Sequence, residues 1–299
     1  MDRRNFLKCT LPLAFSGTSS AASSNTPELT FGVIADPQYA DQDTRGSRFY
    51  RNSLGKLESA IKELNQLPLD FVITLGDIID TDFASFAKIM PLYDKLRAPS
   101  RFVPGNHDFD VADADKAKVL AALRMKKPYE SKVHEGWRTI SLDGTEVSTF
   151  RQPANDPRTQ VATELLKKFR SEKRRQAASW NAAMASTQLA WLESELDAAK
   201  AKNQRAILFN HYPILPANDP HNLWNAEELV DLLARYDHIA AYMNGHNHKG
   251  NYATHHGCHY VNLKGMVETE SKSAYAVVRC FADRIEIDGL GTEPDRKLR

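Results

Sequence analysis

Three cysteines in 299 residues, no long apolar run and no excess of either charge sign are the first things this chain lacks. Each shortage closes off a class of protein. A disulfide-stapled scaffold needs many more cysteines than Cys9, Cys258 and Cys280. A membrane-spanning helix needs about 20 consecutive apolar residues, and no stretch approaches that. Lys and Arg number 39 against 38 Asp and Glu, a formal net charge of +1. That balance gives no sign of a nucleic-acid or membrane-surface partner. Internal repeats are also missing, which excludes a solenoid. The hydrophobic share is nevertheless 42%, enough for a substantial core. A chain of this length forms one large α/β domain or two small ones, and no linker splits it convincingly.

What is present begins with a leader. Asp2-Arg3-Arg4-Asn5-Phe6-Leu7-Lys8 resembles the twin-arginine export motif, and an apolar run and a small-residue stretch follow it. Residues 1–25 therefore read as a twin-arginine-type signal peptide, and 28–299 as the mature domain. This reading expects a periplasmic or secreted protein, the twin-arginine machinery as an export partner, and no membrane in the mature form. Cys9 lacks the small residue that precedes a lipoprotein cysteine, so no lipid anchor is expected. Cys258 and Cys280 sit in consecutive strand-like segments that could pair as antiparallel neighbours. Export would permit a disulfide between them, and two buried free thiols are the simpler expectation.

Five short apolar runs each end in a metal-capable residue. FGVIA precedes Asp36-Pro37-Gln38, FVITLG precedes Asp77, and RFVPG precedes Asn106-His107-Asp108. AILFN precedes His211, and IAAYMNG precedes His246-Asn247-His248. Such runs read as buried strands, and ligands of open α/β sheets sit beyond the carboxyl ends of strands. Five strands would then carry carboxylates, carboxamides and imidazoles to one edge. Between them, Leu54, Leu57, Ile61 and Leu64 share one helical face. Ser186 is placed to cap a helix carrying Leu189, Leu192 and Leu196, and Asn225 to Arg235 forms another helix. The segment from Cys258 onward reads as strands paired antiparallel. Alternation of this kind predicts an α/β fold of two packed sheets with helices outside. Residues 152–185 form a charged insertion, expected as a solvated helix, with a mobile basic flap as the alternative.

In this order the motifs resemble those of the calcineurin-like metallophosphoesterases. The resemblance implies a four-layer α-β-β-α sandwich of two mixed sheets. It also implies two metal sites bridged by Asp77: one with Asp36, Gln38 and His248, the other with Asn106, His211 and His246. A bridging hydroxide would be the nucleophile between ions about 3.5–4 Å apart. His107 would face the substrate as general acid, with Asp108 orienting it. Gln38 departs from the more usual His at that place. An amide oxygen there suits manganese or magnesium better than zinc or iron, so the expected cofactor is a pair of Mn2+ ions. His134, His221 and His238 are expected as surface or core residues, and His255, His256 and His259 as no third metal site.

Within that superfamily, FGVIADPQYAD, FYRNSL, Leu223-Trp224-Asn225, GHNHKGNY and the segment Leu263 to Thr269 resemble the manganese-dependent ADP-ribose/CDP-alcohol diphosphatases. The resemblance implies cleavage of the diphosphate bond in a nucleotide diphosphate, ADP-ribose giving AMP and ribose 5-phosphate. Tyr39 and Trp224 are candidates to stack on the base, or else to pack internally. Arg48 and Arg51 are candidates to reach the second phosphate, or else to lie on an exposed helix face. A phosphomonoesterase or cyclic-nucleotide phosphodiesterase on the same centre is the alternative. The enzyme is expected to act as a monomer.

Overall fold

The computed structural model describes residues 25–299. The twin-arginine motif lies outside the described residues. β1 (Leu29–Ile34) leads to α1 (Ser53–Leu64), β2 (Phe71–Thr74), α2 (Phe86–Tyr93) and β3 (Ser100–Phe102). A single helical turn, α3 (Val119–Ala122), precedes the hairpin of β4 (Glu130–His134) and β5 (Trp137–Ser141). Then come α4 (Pro157–Ser171), α5 (Ser186–Ala201), β6 (Arg205–Phe209), α6 (Ala226–Leu233) and β7 (Ile239–Asn244). The chain ends in β8 (Lys249–His255), β9 (Cys258–Lys264), β10 (Ala274–Cys280), β11 (Ile285–Gly291) and β12 (Arg296–Leu298).

These strands form two six-stranded sheets, in the orders β12-β11-β10-β1-β2-β3 and β4-β5-β6-β7-β9-β8. Both are mixed: β1, β2 and β3 run parallel beside antiparallel β10 to β12, and β5, β6, β7 and β9 run parallel between antiparallel β4 and β8. The period of two along β1 shows why the sheets stack. Leu29, Phe31 and Val33 face Ile207, Phe209, Met243 and Val261 in the core between the sheets. Ile34 faces the other way, onto Leu57, Ile61 and Leu64 of α1 and Ile89 of α2. On the far side, α5 and α6 cover the second sheet through Leu192, Leu196, Leu229 and Leu233. The result is the α-β-β-α sandwich.

Ser186, expected as a cap, is the first residue of α5, whose cap position is Ala185. The antiparallel pairing expected from Cys258 onward also needs correction, and with it the placement of the two cysteines as neighbours, while the free-thiol expectation holds. The late strands are not one antiparallel set, because β9 is parallel to β7 and the next connection crosses to the other sheet. Cys258 on β9 and Cys280 on β10 therefore belong to different sheets, and both are buried free thiols. In the insertion, α4 has Pro157 in its first turn, and its Asp156 cap accepts a 2.8 Å hydrogen bond from the Arg158 amide. The helix shows Lys167 and Lys168 to solvent and packs Ala162, Leu166 and Phe169 against Ala183 and Trp224.

Candidate metal centre

The polar residues that follow β1, β2, β3, β6 and β7 meet where the two sheets open. Asp36, Gln38, Asp77 and His246 all have positive φ, between 44° and 69°. Non-glycine residues adopt this left-handed backbone at a cost, and such outliers cluster at functional sites. Here the sharp turn after each strand aims the side chain back into the cleft. The turn glycines are small by necessity. A Cβ on Gly76, at φ +87°, would lie 2.5 Å from His211 Nδ1, and one on Gly105 would lie 2.2 Å from Asp77 Oδ1.

Two ligand groups result among the described residues: Asp77 with His211 and His246, and Asp36 with Asp77 and His248. Within each, ligand atoms lie within 4.8 Å of one another, and Asp77 belongs to both. The three imidazoles are oriented from behind. His211 Nδ1 donates to the Leu75 carbonyl at 2.8 Å, His246 Nε2 to Asn181 Oδ1 at 2.8 Å, and His248 Nδ1 to Glu268 Oε1 at 2.8 Å. Partners of this kind set the tautomer of metal-binding histidines. The other three nitrogens carry lone pairs into the cleft, where they meet more acceptors. His211 Nε2 is 3.1 Å from His246 Nδ1, 3.2 Å from Asn106 Oδ1 and 3.3 Å from Asp77 Oδ2. Gln38 Nε2 donates to Asp77 Oδ2 at 3.0 Å, which leaves the buried Gln38 Oε1 with no hydrogen-bond partner. Acceptors facing acceptors in a buried site call for a cation between them.

The charges agree. Burial disfavours ionisation of Asp77, but His211, His107 and His246 outweigh it and hold its pKa well below the usual carboxylate range. Burial likewise opposes charge on His211, yet Asp77 and Asp36 raise its pKa to about 9. The cluster thus favours positive charge at its centre, which a metal ion can supply in place of the proton. Two carboxylates, two carboxamide oxygens and three imidazoles fit two divalent cations sharing Asp77.

His107 stands beside this set with a partner the sequence did not reveal. Its Nδ1 lies 3.1 Å from Asp80 Oδ1 and 3.2 Å from the Asp80 carbonyl. Asp108 does not orient it. The short 3-10 turn His107–Phe109 directs Asp108 inward, where it accepts from the backbone amides of Asp77, Ile78, Ile79 and Gly105 at 2.8 to 3.3 Å. Burial and the Asp77 charge push the Asp108 pKa up to about 7, against those amides. Asp108 is a brace for the strand-end loops.

A cavity of about 710 Å³ opens over the ligands. Its lining joins Gln38, Asp77, Asn106, His107, His246 and His248 to Arg48 and to the aromatic side chains of Phe109, Phe150 and Trp180. Of the substrate contacts expected from sequence, Arg48 alone lines it. Trp224 is fully buried, with Nε1 donating to the Ala178 carbonyl, because α4 and Ala183 close over it. Tyr39 packs in the core with Ile79 and Phe86. Arg51 turns outward to Asp41 and Asp43 at 2.5 and 2.7 Å. The exposed aromatic at the cavity is Trp180, 51% accessible, brought there by the tail of the insertion. That same tail supplies Asn181 behind His246. His221, expected as a bystander, also reaches the cavity, its ring 5.7 Å from that of His246. His255, His256 and His259 lie on the β8–β9 hairpin and join no ligand group among the described residues.

Comparison with known proteins agrees with this geometry. The family model for calcineurin-like phosphoesterases matches residues 29–250. A manganese-dependent ADP-ribose/CDP-alcohol diphosphatase of Arabidopsis thaliana is 31% identical over 278 residues, covering 83% of this chain and 89% of that protein. The protein of the same name from Xenopus tropicalis is 28% identical over 322 residues, with 91% and 94% covered. A crystal structure of a dimetal phosphatase from Danio rerio has a TM-score of 0.83 at 23% identity, covering 91% of this chain and 99% of that one. With matches over nearly its whole described length and the strand-end ligands in family order, the chain belongs to the calcineurin-like phosphoesterases, and among them it is similar to the ADP-ribose/CDP-alcohol diphosphatases.

Proposed function

We propose that this chain is a dimetal phosphohydrolase that cleaves the diphosphate bond of nucleotide diphosphates such as ADP-ribose or CDP-alcohols. The observation that carries the metal centre is the orphaned Gln38 Oε1 among converging lone pairs. Asp36, Gln38, Asp77 and His248 would hold one ion, and Asp77, Asn106, His211 and His246 the other. Their oxygen-rich donor set suits manganese, in keeping with the names of the relatives. Metal ions held by these residues would supply Lewis-acid charge for phosphoryl transfer.

The remaining roles fall to the chain itself. With Nδ1 facing Asp80, His107 keeps Nε2 free to give a proton to the leaving oxygen. Burial lowers the His107 pKa, but the Asp77 and Asp80 carboxylates raise it by more, which favours the protonated ring. Arg48 is placed to donate to a phosphate, and Trp180 offers a face on which a base can stack.

A substrate panel tests the reading. Manganese-loaded protein is offered ADP-ribose, CDP-choline, cyclic AMP and p-nitrophenyl phosphate. The highest kcat/KM should fall on a nucleotide diphosphate, with a nucleoside monophosphate as product. A preference for the aryl ester would make the protein a phosphomonoesterase, and one for cyclic AMP a phosphodiesterase.

We also propose that the protein is exported by the twin-arginine route, on the strength of Arg3-Arg4 and the run that follows. A scavenger of nucleotide diphosphates outside the cytoplasm would reconcile the leader with the substrate. Replacing Arg3 and Arg4 with lysine should retain the protein in the cytoplasm on fractionation. Unchanged export would overturn the proposal.

A further inference from the structure

A second cavity, of about 640 Å³, adjoins the first, and Arg48, His221, His246 and His248 line both. The two lobes differ in chemistry. Trp180, Phe109 and Phe150 line only the first, whereas Lys249 and Lys264 line only the second. A substrate lying across the ligand cluster would therefore meet an aromatic lobe at one end and a cationic lobe at the other.

We propose that Lys249 and Lys264 form a subsite for the arm beyond the cleaved diphosphate, one that favours anionic or neutral sugar-like arms and repels cationic ones. The arm is identified through the diphosphatase reading above, on which this inference rests. The two lysines are direct cross-strand partners at the open end of the β8–β9 hairpin. Like charges directly opposite in an antiparallel ladder destabilise it. Here the cost is not offset within the chain, since neither ammonium has an ion-pair partner among the described residues.

Other charges in the lobe are committed. Glu268 Oε1 is 2.8 Å from His248 Nδ1 and 3.9 Å from Arg48 Nε, and His221 Nδ1 is 2.9 Å from Asp219 Oδ1. The two ammonium groups are what remains to meet a ligand, with the hydroxyls of Ser47, Thr269 and Thr292 beside them. Such a lobe matches a hydroxylated arm, more so one bearing a carboxylate or phosphate, and repels a quaternary ammonium. Specificity of this kind works as much by rejecting the wrong partner as by holding the right one.

The test uses half-substrates, so that it does not depend on turnover. Metal-loaded protein is titrated by calorimetry with glucuronic acid 1-phosphate, glucose 1-phosphate and phosphocholine, which carry anionic, neutral and cationic arms on one phosphate. Affinity should fall in that order. The Lys249→Gln/Lys264→Gln variant should compress the order by roughly two- to fivefold per charge removed, the size of half-exposed ion contacts. Lys249→Arg/Lys264→Arg should restore it, and thermal melting should show both variants folded. An order that is unchanged in the glutamine variant, or phosphocholine binding tightest to the wild type, would overturn the subsite. Failure of the diphosphatase reading would show separately, as a lack of hydrolysis of intact ADP-ribose and UDP-glucuronate with these binding preferences in place.

Discussion

Asp80 presents two oxygens to His107 Nδ1, its carboxylate at 3.1 Å and its own carbonyl at 3.2 Å. On its other side the Asp80 carboxylate accepts from Gln42 Nε2. The carboxylate is therefore held in place while it favours the charged imidazole. Metal ions bound at Asp77 would offset that residue's pull, leaving Asp80 as the group that keeps His107 protonated.

Asp80→Asn should accordingly move the alkaline limb of the pH–rate profile. A raised pKa means the proton donor is present below that pKa and lost as pH rises through it. With the Asp77 pull offset, the Asp80 carboxylate is what holds the limb above the ordinary imidazole range. Without the Asp80 charge the loss should begin at lower pH, with turnover at pH 8 reduced more than at pH 6. His107→Ala should cost about 10²–10⁴-fold in kcat, the usual range for general acid–base catalysis. Substrates with poor leaving groups should suffer most. An unmoved limb in Asp80→Asn would mean that another group holds the proton.

The two tryptophans near the insertion should respond in opposite ways. Trp224 is fully buried among Ala162, Leu166, Phe169 and Ala183, so Trp224→Ala should lower stability by about 3–5 kcal/mol in denaturant unfolding. Trp180 is half exposed at the cavity, and Trp180→Ala should leave stability nearly unchanged. Its effect belongs to binding. A stacked base contributes about 1–3 kcal/mol, and ~1.4 kcal/mol is tenfold in affinity. KM for ADP-ribose should rise about tenfold, with little change for p-nitrophenyl phosphate. Equal changes on both substrates would remove Trp180 from base recognition.

Both tryptophans look alike in sequence, which marks where sequence reasoning stops. Asp36, Asp77, Asn106, His211 and His246 are legible because each follows a buried apolar run, and strand ends have a known direction. The two sheets and their helices are legible for the same reason, from periods of two and 3.6. Asp80 and Asn181 carry no local signal, and Glu268 lies in a segment of family resemblance that does not show its partner. Each acts on a histidine 20 to 65 residues away, through a contact that exists only after the sheets have packed. Asp108 misleads because it is the immediate neighbour of His107, and the 3-10 turn sends the two side chains to different places.

Asn181 ties the insertion to the metal centre, and its removal should show this. Its Oδ1 accepts from His246 Nε2, while its Nδ2 donates to the carbonyls of Gln176 at 2.9 Å and Pro220 at 2.7 Å, which fixes the amide. Asn181→Leu keeps the volume and removes the acceptor, freeing the His246 ring to rotate or change tautomer. Loss of such a partner typically weakens metal affinity about 10–100-fold. Manganese titration should show one weakened ion, at the His211–His246 side, with the Asp36–His248 side less affected. Two ions bound as in the wild type, in a variant that melts normally, would mean that His246 is oriented by other contacts.

Lys56 shapes the other side of the centre without touching it. Its buried ammonium donates to the Met266 carbonyl at 2.6 Å and lies 3.0 to 3.3 Å from those of Val267, Glu268 and Thr269. That loop also binds the β1 end, through the Met266 and Val267 amides on the Ala35 and Asp36 carbonyls, and it carries Glu268 to His248. Lys56→Met would leave the carbonyls without their donor, at a cost of about 1–3 kcal/mol or more. Affinity for the ion at His248 should fall with it. The pH dependence follows from burial, which pushes the Lys56 pKa down to about 8 from its ordinary 10.5, with Glu268 opposing. Between those values the unfolded chain binds more protons at this position than the folded one, so this residue makes stability rise with pH across the window. Below about pH 8 both states are protonated and the penalty is present in full. Thermal melts of wild type and Lys56→Met between pH 7.5 and 10.5 should therefore diverge, the wild type gaining on the variant as pH rises. Parallel curves would show that the carbonyl cage stabilises the ammonium as well as water does.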